Sequence, residues 1–133
     1  MKMPDLVIDD LVGVRFKNHG RSVEEGFDCY GLAIEISKRL GHELCDLWYE
    51  RACPETFSDN VNDICKQMSS QVKETTSQKL GNLILFADEN ERMVHIGVIL
   101  EEGLFIHADL GGVRVTRLDS YYRKNWKVYE WLQ

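Results

Sequence analysis

The chain has 133 residues, with 22 acidic against 16 basic side chains and a net charge of −6. That length is one domain's worth and needs no staple to fold. The acidic balance argues against a nucleic-acid module, which would normally show a basic patch, and against adhesion to an anionic wall or membrane by charge alone.

The opening stretch MKMPDLVIDDLVGVRF has no apolar run followed by a small-residue cleavage site. No secretory signal peptide is therefore expected, and synthesis is expected in the cytoplasm. No run approaches the roughly 18 apolar residues of a membrane span. Cys29, Cys45, Cys53 and Cys65 show no C-x-x-C spacing. Reduced thiols are expected rather than a zinc cluster.

The first helix is expected from Cys29, where Leu32, Ala33, Ile36 and Leu40 recur at helical spacing. Asp28 is its expected N-cap. Gly41 is its expected stop, with Lys38 and Arg39 in the last turn. A second helix is expected from about Ser58 to Lys79, on the stripe Val61, Ile64, Cys65, Met68 and Val72. Beyond Leu80 the period becomes strand-like over 82–87, 93–100, 104–109, 112–118 and 127–132, separated by short turns. Helices first and strands afterwards predict a single α+β domain over 1–133, built on an antiparallel sheet.

Two histidines fall in adjacent predicted strands, His95 in MVHIGVIL and His107 in LFIHAD. A tight hairpin between them would set His107 opposite residue 95 or 97, so that the imidazoles can touch. Gly97 would leave room for another element to approach, and the N-terminus of the Cys29 helix is the expected one. Cys29 would then be a candidate nucleophile. The helix terminus lowers a thiol pKa, one imidazole takes the proton, and the second orients the first. The Cys29 backbone N–H could serve an oxyanion. The same residues also allow a packed core thiol, or a Cys-His-His metal site that lacks a fourth ligand.

The segments LVGVRFKNHGRSVEEGFDCYGLAIEI, GNLILF, VHIGVILEEGLFIHA and SYYRKNWKVYEWL resemble, in that order, the NlpC family of cell-wall cysteine peptidases (the NlpC and p-sixty superfamily). The resemblance spans most of the chain except about 45–79. It implies a papain-like α+β core, with N-terminal helices packed on a five- to six-stranded antiparallel sheet. It implies Cys29 as nucleophile, His95 as base and His107 as the residue orienting that base. The implied substrate is the amide between γ-D-glutamate and a diamino acid in peptidoglycan stem peptides. No metal or organic cofactor is implied.

Phe16 matches a substrate-contacting tyrosine of the family, and Asp28 an acidic residue that can meet a substrate amine. Packing for Phe16 and capping for Asp28 are the alternatives. Tyr30 stands where the family has serine and completes the residues assigned to the substrate side. The resulting DCYGL resembles the phage-tail branch, which implies tail proteins as partners and the virion tail as a destination. Asn82 replaces the usual aspartate of Gly-Asp-Leu, a change expected to affect a turn rather than the chemistry. Trp48, Tyr49 and Phe57 are read as a partner surface or as core. Two other functions stay open: a catalytically degenerate papain-like domain with a structural or binding role in tail assembly, and an amidase or acyltransferase on another acyl substrate.

Overall fold

A computed structural model of the chain describes residues 6–46, 68 and 70–132. Helix α1 covers Cys29–Arg39, and Asp28 caps it from an extended backbone, its side chain accepting from the Gly31 N–H at 2.7 Å. Such a cap satisfies one of the donors that every helix start leaves unpaired. At the other end Gly41 takes a left-handed φ of 89°, and the Gly41 and His42 N–H groups donate to the carbonyls of Lys38 and Ser37. Leu32, Ala33 and Ile36 form the buried stripe, joined by Cys29 and Tyr30 in the first turn.

The chain ahead of α1 folds into a small hairpin, β1 (Arg21–Ser22) with β2 (Gly26–Phe27). Gly31 explains how tightly this hairpin docks. A Cβ at Gly31 would lie 2.1 Å from the Gly20 carbonyl oxygen, so only glycine lets the two backbones meet. The glycine of DCYGL is thus a packing requirement of the first helical turn.

Six strands form one antiparallel sheet: β3 (Val72–Thr75), β4 (Leu83–Ala87), β5 (Met93–Glu101), β6 (Leu104–Asp109), β7 (Gly112–Arg117) and β8 (Trp126–Trp131). Their order across the sheet is β3-β8-β4-β5-β6-β7. The α+β class and the antiparallel sheet follow the sequence expectation, and five strands match the five predicted segments. The sixth corrects it. Val72–Thr75 was expected to end the second helix, yet it pairs with β8 from Val72↔Trp131 to Thr75↔Val128. The helical stripe ends at Val72, and the open edge of β8 supplies backbone partners that outweigh local propensity. Met68 is helical and buried, while 58–67 and 69 of that predicted helix lie outside the described residues, as do Trp48, Tyr49, Phe57, Cys53 and Cys65.

The two faces of the sheet carry different layers. Leu83, Leu85, Ile96, Val98, Leu100, Ile106 and Ala108 share a cluster with α1. Ile84, Phe86, Ile99, Phe105 and Val128 pack on the other face with Leu118 and Tyr121, from the short 3-10 turn Leu118–Ser120 and the residue after it. Strict alternation along β5 therefore sends His95 toward the aromatic face and its neighbour Ile96 toward the helix.

Replacing Gly31 by alanine should force the hairpin and the first turn of α1 apart. Urea unfolding should show a loss of about 1–3 kcal/mol, the usual cost of overpacking.

Candidate active site

Cys29 opens α1 and is 1% exposed. Its sulfur meets β5 at Ile96, one residue from His95. The backbone amides of Ile96, Tyr30 and Cys29 itself favour the thiolate. Two stronger effects oppose them: burial pushes the Cys29 thiol well above its ordinary value, and the Asp28 charge beside it adds to that. This corrects the expectation of a lowered thiol pKa. The helix-terminus effect is present, but desolvation and the capping carboxylate outweigh it.

The registered pairs between β5 and β6 include Val98↔Ile106 and Ile99↔Phe105. That register, carried one residue beyond Val98↔Ile106, sets His107 beside Gly97, the second of the two expected alternatives. The space a Gly97 Cβ would need is taken by the Phe105 ring at 2.9 Å, the Ile106 carbonyl at 3.1 Å and His107 Cβ at 3.4 Å. The element a Gly97 Cβ would strike first is thus β6, while the N-terminus of α1 meets β5 one residue away, at Ile96. Gly97 lets β6 come close, and the histidines meet as a result: His95 Nε2 lies 2.7 Å from His107 Nδ1. His107 continues through its Nε2 to Thr116 Oγ1 on β7, at 2.9 Å.

Phe86, Phe105 and Tyr121 wall the pair, with Tyr121 edge-on to His107 at 5.2 Å. Burial lowers the His95 pKa well below the ordinary value, helped by His107 and by the Arg123 guanidinium. Burial likewise pushes His107 down to about 4; Asp109 opposes this, and Arg114 and Arg123 reinforce it. Both imidazoles are therefore neutral at pH 7, and so is the Cys29 thiol.

Asp28 is fully buried. Its Oδ1 accepts from Gly31 N and from Arg21 Nη1 at 3.2 Å, and its Oδ2 accepts from His19 N at 2.8 Å. The carboxylate is a cap and a loop tether, the alternative to its substrate-side assignment. Tyr30 is also fully buried and donates its hydroxyl to the Cys45 carbonyl. In this structure it offers no surface to a substrate and packs the first turn of α1, which departs from its substrate-side assignment. Phe16 is half-buried and bridges in parallel to Phe27, two residues before Cys29. The Asn82 side chain donates to the Ser77 carbonyl at 2.8 Å and so ties a turn.

Sequence reasoning missed Thr116, Tyr121, Arg123 and Arg21. Thr116 follows Phe105 in the β6–β7 register, a placement that could have been read from the short Leu110–Gly111 turn. Nothing local marks Tyr121, which the chain brings back over the second face. Arg21 clamps Asp28 and, through Nε and Nη2, Asp46. Among the described residues no three His, Cys, Asp or Glu side chains are placed to hold a metal ion, and no helix is long and apolar enough to cross a membrane.

The lowered histidines set an acid-side prediction. A histidine held neutral in the fold binds its proton more readily when unfolded, so stability rises with pH between the folded and unfolded pKa values. For His107 that window runs from about 4 to 6.5. Urea unfolding should show stability falling as pH drops from 6.5 to 4, by on the order of 1–3 kcal/mol. The fall should shrink in His107→Asn.

The NlpC/P60 family profile matches residues 13–131. Among solved structures, the NlpC/p60 domain of the peptidoglycan hydrolase SagA aligns over 88% of this chain and 87% of its own, with 21% identity and a TM-score of 0.58. NlpC1 from Trichomonas vaginalis aligns at 19% identity and TM-score 0.60, over 95% of this chain and 42% of its own. A lipoprotein-like NLP/P60 protein from Staphylococcus aureus aligns at 21% identity and TM-score 0.55, over 90% of this chain and 39% of its own. The chain thus spans less than half the length of those last two proteins. At these identities the likeness is one of fold. Comparison with curated proteins returns no match.

Proposed function

Because the chain belongs to the NlpC/P60 family, we propose that it is a cysteine endopeptidase of the cell wall. Its substrate is the amide between γ-D-glutamate and a diamino acid in peptidoglycan stem peptides. The observation that carries this reading is the histidine pair, His95 Nε2 to His107 Nδ1 at 2.7 Å, with His95 on the strand that Cys29 meets at Ile96. The solved relative SagA, a peptidoglycan hydrolase by name, supports the substrate class.

In the proposed reaction the Cys29 thiol gives its proton to Nδ1 of His95, since Nε2 is engaged with His107. The thiolate attacks the amide carbon, and the tetrahedral oxyanion collapses with cleavage of the C–N bond. The leaving amine takes the proton from His95. Water, deprotonated by the same nitrogen, then attacks the thioester and frees the γ-carboxylate and the thiol. His107 holds the ring in place through the cycle. This sequence needs the buried thiol to be uncovered by substrate. The thiolate formed there is held by the backbone amides of Ile96, Tyr30 and Cys29.

The DCYGL motif supports a phage or prophage tail as the setting, with tail proteins as partners. One observation favours a rival: Cys29 is 1% exposed, with its thiol raised. A degenerate domain with a structural or binding role in tail assembly would have that property permanently.

Digestion of purified peptidoglycan by the wild type and by Cys29→Ala, read by mass spectrometry of the released peptides, separates the two. A new free amine on the diamino acid, from the wild type alone, is expected. Release by neither protein would favour the binding domain. Equal release by both would remove Cys29 from the mechanism. His95→Ala should lower turnover by about 100-fold or more, the usual worth of a general base.

A further inference from the structure

We propose that Thr116 is a positioning residue that sets the tautomer of the His95–His107 pair, and through it whether His95 can act as a base toward Cys29. The role of His95 in this statement rests on the hydrolase reading above; the tautomer itself does not.

A neutral imidazole carries one N–H and one lone pair, so a hydrogen-bonded chain of two rings has only two ordered states. In the first, His95 donates from Nε2 to His107 Nδ1, and His107 donates from Nε2 to Thr116 Oγ1. This leaves a lone pair on His95 Nδ1, ready for a proton. In the second every bond reverses: Thr116 donates to His107 Nε2, His107 donates from Nδ1 to His95 Nε2, and His95 holds its proton on Nδ1. The second state cannot take a proton from sulfur there. The distances, 2.7 Å and 2.9 Å, suit both.

The position of Thr116 favours the first state. His107 is fully buried while Thr116 is half-buried. The threonine hydroxyl can accept from His107 and still satisfy its own proton at the surface. In that state His107 Nε2–H has the threonine oxygen as its acceptor, and a buried N–H without one carries the full desolvation cost. The rings packed around the pair belong to Phe86, Phe105 and Tyr121. The charges that bear on it are Arg123 from the segment after the 3-10 turn, Asp109 at the end of β6 and Arg114 on β7. A neutral hydroxyl as last member, where many triads use a carboxylate, leaves the pair uncharged at rest and still ordered.

The test uses the full chain with ¹⁵N-labelled histidine. Long-range ¹H–¹⁵N correlation at pH 7.5 reads the tautomer of each ring without substrate. Both rings should be Nε2–H in the wild type and in Thr116→Ser, and should shift toward Nδ1–H in Thr116→Val, with the amide spectrum otherwise preserved. On peptidoglycan, Thr116→Val should lower kcat about three- to ten-fold with KM unchanged, the population worth of one hydrogen bond, and Thr116→Ser should restore it. A wild-type His95 in the Nδ1–H form overturns the proposal. So does a Thr116→Val protein with wild-type tautomers. A tautomer shift in a protein whose wild type cleaves nothing supports the Thr116 assignment and overturns the hydrolase reading alone.

Discussion

The buried carboxylate of Asp28 holds the candidate site together. One side chain takes the Gly31 amide of α1, the His19 amide of the preceding loop and the Arg21 guanidinium of the small hairpin. It can do so only because Gly31 lets the Gly20 backbone lie against the helix. The position of Cys29 follows from this knot, since the thiol is the first residue after the cap. The same carboxylate also raises the thiol's pKa. The group that places the candidate thiol therefore adds to the burial that holds it protonated.

At the histidine pair the constraint is steric. Gly97 admits the Phe105 ring, the Ile106 carbonyl and the His107 Cβ, and this brings β6 close enough for a 2.7 Å contact between imidazoles. Aromatic walls then strip water from the pair, and Arg123 adds a repelling charge. An imidazole in such a place is a neutral hydrogen-bonding group, available to take a proton rather than already charged. Thiol and imidazole thus rest uncharged, and charge separation waits for a change in solvation. An enzyme whose substrate uncovers the thiol and a domain that never opens it look alike at rest.

The legibility of the site differs by residue. Cys29, His95 and His107 stood out because each is a reactive side chain in a short motif, and a short hairpin turn with strand alternation places the histidines together. Asp28 read equally well as a cap or as a substrate contact, and the burial of both its oxygens decides for the cap. Tyr30 was assigned to the substrate side from its place at the family's serine, but the first turn of α1 faces the core and its hydroxyl donates to the Cys45 carbonyl. Thr116 was invisible, because one threonine in GVRVTRL is an ordinary strand residue until the register with β6 is known.

The sequence by itself determined the α+β class, the helix from its cap to Gly41, five of the six strands and the family motifs. Those properties live in local periodicity, capping chemistry and turn residues, which act over a few neighbours. Tertiary structure alone decided that Val72–Thr75 is a strand, because its partner β8 lies more than fifty residues away in the chain. It alone decided the ionisation of the site. Whether a helix-start thiol is lowered or raised depends on how completely the protein excludes water around it, and that balance is set by packing among distant segments rather than by any motif.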